Sequence, residues 1–371
     1  MGADLGADRR TEQEPRAGRP GRRTTSPDGT HARRVTIRDV ADRAGVSTAA
    51  VSLALNDRPG VSAATRERIL TPARDLGWTP NTAARSLSGR QTDTIGLVLA
   101  RPAPMLGWEP FFMDFIAGVE SVLVEHRCSL LLRLVGSVEE EAEVQRAWWQ
   151  GRRVGGSLLV DLRGDDPRIA ALAGSGLPAV AVGHPSLAGP FPAVWTDDAA
   201  AVHEAVRYLA ALGHRRIARV GGPAGLGHSA VRARAFEEIA AEPAREEAVQ
   251  VTADYSGGGG SRATRSLLAS ARRPTAIVYD NDVMAVAGLS VAAEMGLRVP
   301  QDLSLVAWDD SQLCQLVRPQ LSAVSRDVFA YGAQAVRSLF DLLANGEAPS
   351  RPAPDPVLVP RASTAPPRGG R

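Results

Sequence analysis

Arginine is the side chain best supplied for chemistry in this sequence. Lysine is absent, so every permanently positive side chain among the 371 residues is a guanidinium. A Walker-type phosphate loop, a Schiff base and a catalytic lysine are therefore excluded. Residues 1–92 hold 16 arginines against 10 aspartates and glutamates, so in a chain of net charge +2 the remainder carries −4. A basic end on an acidic body suits attraction to a phosphate backbone, although a solvated basic tail would give the same asymmetry.

Other catalytic patterns are missing. Gly221, Gly222, Gly225 and Gly227 form a glycine-rich loop without G-x-G-x-x-G spacing, and no clear strand precedes the run Gly257–Gly260. The six histidines show no zinc-ligand spacing and no serine sits in a G-x-S-x-G elbow. No enzyme activity, metal or cofactor is expected. Cys128 and Cys314 lie far apart in apolar surroundings, as reduced, buried cysteines do. The polar start of the chain lacks a signal-peptide core, and no later apolar run approaches the roughly 20 residues of a membrane span. The expected compartment is the cytoplasm, with no membrane partner.

The elements that must position these groups fall into two styles. Residues 1–34 are polar and rich in Pro and Gly, and read as a disordered basic arm that could touch phosphate. Thr36 with Asp39 makes a capping box for a helix over Ile37–Ala44. Gly45 permits a tight turn, and Ser47 can cap a second helix to about Leu55. With Ala41, Val46 and Val51 turned inward, the two helices form a helix-turn-helix. Ser62 can cap a third helix to about Leu76, in which Pro72 predicts a kink or an early end. A short alanine-rich helix is predicted over Asn81–Leu87.

From Thr94 the style changes. Apolar runs at Thr94–Ala100, Ser129–Val135, Gly156–Leu162, Pro178–Val182, Ile217–Gly221, Thr275–Tyr279 and Leu303–Trp308 alternate with amphipathic stretches such as Phe112–Glu125, Asp282–Met295 and Val328–Leu343. Alternation at this spacing predicts parallel sheets covered by helices on both faces, with ligands at the carboxyl ends of the strands. The organisation expected is an arm over 1–34, a helix-turn-helix domain over 35–80, a hinge over 81–92, a parallel-sheet domain over 93–362, and a disordered tail over 363–371.

The segments VTIRDVADRAGVSTAAVSLALNDRPGVSAATRERI and LGWTPNTAARSLSGRQTDTIGLV resemble the lactose-repressor/galactose-repressor family of bacterial transcriptional regulators, with weaker similarity over nearly all of residues 35–361. The resemblance implies an all-α DNA-binding domain, then a two-lobed α/β domain like the periplasmic sugar-binding proteins. It implies a homodimer on palindromic operator DNA, most simply a repressor, controlled by a small molecule that is usually a sugar. Thr48 and Ala49 then occupy base-facing positions of the recognition helix, while Thr36, Ser47, Ser52 and Asn56 lie among its capping and phosphate contacts. Leu53 stands where many members carry arginine, and can cover a thymine methyl but cannot make a bidentate guanine contact. In the hinge, Asn81, Ala84, Arg85 and Leu87 face the minor groove, Leu87 as a wedge that unstacks a base step. Arg38, Arg43, Arg66 and Arg85 are candidates for neutralising phosphate.

For the effector the same resemblance points to Phe111, His184, Arg232 and Asp282. Arg232 matches an Arg-x-x-Gly-Phe pattern in which Ala235 replaces glycine, and its planar fork can hold vicinal hydroxyls or a carboxylate. Asp282, in Asp280-Asn281-Asp282, can accept hydroxyls or cap the helix that follows. Phe111 or Phe112 can stack on a ligand face. His184 can donate to a hydroxyl or serve a turn. Asp309 and Asp310 shape a later connection, with a ligand role open. The alternative is a periplasmic-type sugar-binding module without DNA function.

Overall fold

The structure is a computed structural model that describes residues 35–55, 58–78, 92–241 and 247–368. Its contacts divide the chain into two compact units, Met1–Asn81 and Thr82–Arg371.

In the smaller unit, α1 (Ile37–Ala44), α2 (Thr48–Leu55) and α3 (Ala63–Asp75) close around Val40, Ala41, Val51 and Ile69. Local signals place every boundary. The Thr36 amide donates to Asp39 at 2.7 Å and the Asp39 amide to the Thr36 hydroxyl at 3.4 Å, which completes the capping box. Gly45 ends α1 in the left-handed region, at φ 63°. Ser47 and Ser62 accept from the Ala50 and Thr65 amides. Of the two outcomes expected at Pro72, the early end does not occur: the Leu76 amide donates to the Pro72 carbonyl, and buried Ile69 and Ala73 hold the last turns in the core. Burial on both sides of the proline outweighs the one amide that it removes.

The larger unit has two lobes. In the first, β1 (Thr94–Leu99), β2 (Ser129–Leu134), β3 (Gly156–Leu159), β4 (Ala179–Val182), β5 (Ala193–Trp195) and β11 (Arg351–Pro352) form a parallel sheet of order β11-β5-β4-β3-β1-β2. In the second, β6 (Arg216–Gly221), β7 (Glu247–Thr252), β8 (Ala276–Tyr279), β9 (Ser304–Trp308) and β10 (Ser322–Ser325) pair in parallel, and β12 (Val357–Val359) closes the edge antiparallel to β10. The chain passes between lobes after β5, β10 and β11, the three-strand connection that lets two lobes share one cleft.

The helices are α4 (Met105–Trp108), α5 (Pro110–Glu125), α6 (Val138–Gln150), α7 (Pro167–Ala173), α8 (Asp198–Ala211), α9 (Gly227–Ala240), α10 (Gly257–Leu268), α11 (Asp282–Glu294), α12 (Gln312–Leu316) and α13 (Val328–Asn345). Helix α13 returns to the first lobe and crosses α5 at Gly118 and Gly332. A Cβ at Gly118 would lie 1.9 Å from the Phe329 carbonyl oxygen, and one at Gly332 would lie 2.2 Å from that of Phe115. The two backbones touch there, so neither position has room for a side chain.

Each of the seven apolar runs contains a strand, but β5, β7, β10, β11 and β12 are additional. Two expectations are corrected. The run Gly257–Gly260 does follow a strand, β7, and opens α10, because a Cβ at Gly260 would meet the Met284 backbone of α11 at 2.7 Å. The tail expected to be disordered from Ser363 is packed as far as Arg368. Ser363 is fully buried, its carbonyl accepts from the Leu305 amide, and the Ala365 carbonyl accepts from Ser304. Buried hydroxyls of the second lobe meet the polar groups that composition alone reads as solvated.

Candidate functional site

One face of α2 is left uncovered. Val51 and Ala54 point into the core, while Ser47, Thr48, Ala49 and Ser52 are exposed and Leu53 is half-buried beside Gly60. An exposed helical face of small and hydroxylated residues can approach base edges closely, because no long side chain intervenes. Arg38 and Arg43 are exposed on α1. Arg66 donates to the carbonyls of Ala54 at 3.2 Å and Arg58 at 3.3 Å, and so closes the end of α2. Arg68 does the same for Ala44 at 3.2 Å. Asn56, Asn81, Ala84, Arg85 and Leu87 lie outside the described residues.

The second candidate is the cleft between the two lobes, a cavity of about 480 Å³. Its walls are the residues just beyond the carboxyl ends of the strands: Arg101 after β1, Asp161 after β3, His184 after β4, Asp197 and Asp198 after β5, Asp280 and Asn281 after β8, Asp309 after β9 and Arg326 after β10. Parallel strands that all end at the cleft deliver their first polar side chains to it.

Arg232 stands at its floor, almost wholly buried on α9. It donates to the Asp280 carbonyl at 3.0 Å, reaches Asp198 only at 3.4 Å and lies 4.0 Å over the Trp308 ring. Its Nε has no hydrogen-bond partner. Burial works against the charge, but Asp198 and Asp280 hold the guanidinium protonated. Burial also raises Asp198, and the facing Arg232 and Arg326 outweigh it, so this carboxyl stays below the usual range.

Two more arginines complete the wall. Arg101 forks onto Asp161 at 2.7 and 2.9 Å and meets Glu109 at 3.0 Å. Arg326 binds Asp309 at 2.5 Å and lies 4.8 Å over the Phe111 ring. Arg168, tied to Glu141 and Asp166, donates to the carbonyls of Val160 and Asp161 and fixes the strand end that carries Asp161. Burial pushes Glu109 up to about 7 despite Arg101, and pushes His228 down to about 4. His228 pairs with the Tyr255 hydroxyl at 2.8 Å.

Three of the four expected effector residues, Phe111, His184 and Arg232, line this cavity. Phe112 is core, packed behind it. His184 lines the cleft and also serves a turn, with Nδ1 2.8 Å from the Ser186 hydroxyl. Asp282 is the exception. It does not line the cavity and it does not cap α11, which Asn281 does through the Met284 amide at 2.9 Å. Asp282 takes the first helical position, with its carboxyl buried and pushed up to about 6. Asp310 is held by Arg361 at 2.5 Å, in the structural role expected of it. Arg101, Asp161, Asp198 and Arg326 were missed. A signal was present for Arg101, the first charged residue after the run Thr94–Ala100, but not for Asp198 and Arg326, whose strands β5 and β10 no apolar run marks.

Among the described residues no helix is long and apolar enough to cross a membrane, and no group of His, Cys, Asp and Glu is placed to hold a metal ion.

Residues 36–81 match the model for bacterial regulatory proteins of the lacI family, and residues 206–364 match a periplasmic binding protein-like domain. The chain is 33% identical over 314 residues to the HTH-type transcriptional regulator CelR of Thermobifida fusca, covering 83% of this chain and 92% of that protein. It is 32% identical to the HTH-type transcriptional repressor PurR of Escherichia coli O139:H28, over 89% and 97% of the two. A solved lac repressor dimer, bound to operator and the anti-inducer ONPF, superposes with a TM-score of 0.80 at 26% identity, covering 90% of this chain and 99% of that one. A CelR–cellobiose complex gives 0.68 at 31%, over 89% and all of that chain.

Proposed function

Since the chain belongs to the lacI family of bacterial regulatory proteins, we propose that it is an operator-binding repressor whose affinity for DNA is set by a sugar bound in the interlobe cleft. The observation that carries this reading is the buried Arg232, which lines the cleft and is held there by the Asp280 carbonyl and by long contacts to Asp198. A guanidinium kept dry and held by long contacts can exchange them for shorter bonds to a ligand. Around it, Phe111 supplies an apolar face and His184 a donor or acceptor at the rim.

On DNA, Thr48 and Ala49 read base edges from α2 and Ser52 and Leu53 flank them, while Ser47 and Thr36 order the helix starts. Arg38 and Arg43 neutralise phosphate and set register rather than sequence. One short recognition helix spans half of a palindromic site, so the working form is a homodimer, with Leu87 and its symmetry mate wedged in the minor groove at the centre. CelR, PurR and the operator-bound lac repressor support this reading. The protein works where the chromosome is, in the cytoplasm, without catalysis. A bare sugar-binding module leaves the capped helical unit and its exposed α2 face without a purpose.

Selection of bound duplexes from a random library with the full chain tests the DNA half. A palindromic consensus, bound with an affinity that falls steeply with salt, is the expected result. Recovery of unenriched sequence would overturn it.

A further inference from the structure

Among the described residues the cleft has no unclaimed positive charge, and that restricts its ligand. Arg101 is forked onto Asp161, Arg326 is bonded to Asp309, and Arg232 faces Asp198. The remaining arginine of the lining, Arg234, is exposed and pairs with Glu238 on its own helix at 3.3 Å. In all, the cavity is lined by four arginines and six carboxylates. Arg219 neutralises Asp280 from behind, and the balance is still negative.

The helix ends tell the same story. Helix N-termini attract anions, yet α5 and α8 begin at the cleft with carboxylates of their own, Glu109 and the Asp197–Asp198 pair, and α11 begins with Asp282; α9 begins there without an acidic residue, but its first amide, that of Gly227, donates to the Leu162 carbonyl. An incoming phosphate or carboxylate would have to expel a carboxylate already bonded to its guanidinium, or lie against the acidic lining without a partner. Hydroxyl groups meet no such cost. They can accept from the Arg232 guanidinium, whose contacts to Asp198 are long, and donate to lone pairs that the bound carboxylates leave unused.

We propose that the cleft selects an uncharged polyhydroxylated ligand and rejects its phosphorylated and carboxylated counterparts. This rests on the sugar-effector reading above and narrows it to one charge class. The acidic residues that pair the three arginines act as the filter, and Asp198 is its most consequential member because its contacts to Arg232 are the longest.

The test is calorimetric titration of the full chain at pH 8, where Glu109 is ionised, with matched probes: glucose against glucose 6-phosphate and glucuronate, ribose against ribose 5-phosphate, and cellobiose against cellobionate. The neutral member of the binding set should bind at least tenfold more tightly than its anion, and its affinity should be nearly indifferent to salt. In Asp198→Asn, which releases Arg232, the gap should narrow at least threefold. Should that variant fail to fold, the wild-type comparison decides alone. An anionic member that binds as tightly as its neutral counterpart, or more tightly, overturns the charge filter while leaving the sugar reading intact. Silence from every probe of both classes overturns the sugar reading, and the inference falls with it.

Discussion

Replacing Arg232 by methionine keeps most of the side-chain volume and removes the charge. The variant loses the bond to the Asp280 carbonyl at 3.0 Å, the two 3.4 Å approaches to Asp198 and the stacking on Trp308 at 4.0 Å. A charge-assisted hydrogen bond is worth about 1.5–3 kcal/mol and a desolvated cation–π contact about 2. Breaking a buried pair costs about 3–5 kcal/mol, largely through the orphaned partner. Arg326 also faces Asp198 and tempers that penalty. The low end, about 3 kcal/mol, is expected. For a unit of this size that lowers the melting temperature by roughly 5 °C. Differential scanning fluorimetry on the wild type, Arg232→Met and the double variant Arg232→Met/Asp198→Asn measures it. The double variant should recover about half of the loss, since it no longer holds an unpaired carboxylate, yet it should bind no sugar. An unchanged melting temperature in the single variant, or a double variant less stable than the single, would refute the charge-pair account.

Further outcomes follow from other parts of the structure. Gly332→Ala places a methyl 2.2 Å from the Phe115 carbonyl oxygen and must part α5 from α13, so urea unfolding should show a loss of about 3 kcal/mol; a loss under 1 would mean that the crossing is loose. Glu109 in the folded protein holds its proton up to about pH 7, whereas the unfolded chain releases it near 4.5. Its protonated form therefore favours the fold below that range, and the contribution fades as pH rises from 4.5 to 7, by an amount on the order of 2–3 kcal/mol. Glu109→Gln should remove that part of the pH dependence in melting curves, and identical profiles would contradict it. Leu87→Ala should weaken selected operator far more than random duplex in anisotropy titrations, because a wedge acts through deformation; equal losses would remove it from that role.

How legible this protein is in its sequence depends on where each signal lies. The small helices are set by adjacent residues: Thr36 with Asp39, Gly45, Ser47 and Ser62 fix their ends within a turn. Pro72 does not end its helix early, because burial of Ile69 and Ala73 overrides its local cost. Ser363 misleads, since its partners Leu305 and Ser322 lie more than 40 residues away and no composition rule can see them. The strand before Gly257–Gly260 becomes visible only when Glu247–Thr252 pairs with β6. In the cleft, Arg232 was visible through a motif. Asp161, Asp198 and Arg326 become a site only when two sheets end face to face. Asp282, one residue beyond Asn281, shows that a helix start fixes which of two neighbouring polar residues caps and which turns inward.

The central claim is a coupling between two sites on one chain. The direct measurement is titration of the selected operator duplex with the full chain, with and without a saturating concentration of the sugar found by calorimetry. A ligand shifts operator affinity only if it distinguishes the DNA-competent arrangement of the lobes from the other. The half-saturating protein concentration should change at least fivefold, the change should be abolished in Arg232→Met, and sugar affinity should change reciprocally when operator is bound. The same operator affinity with and without bound sugar would contradict the coupling.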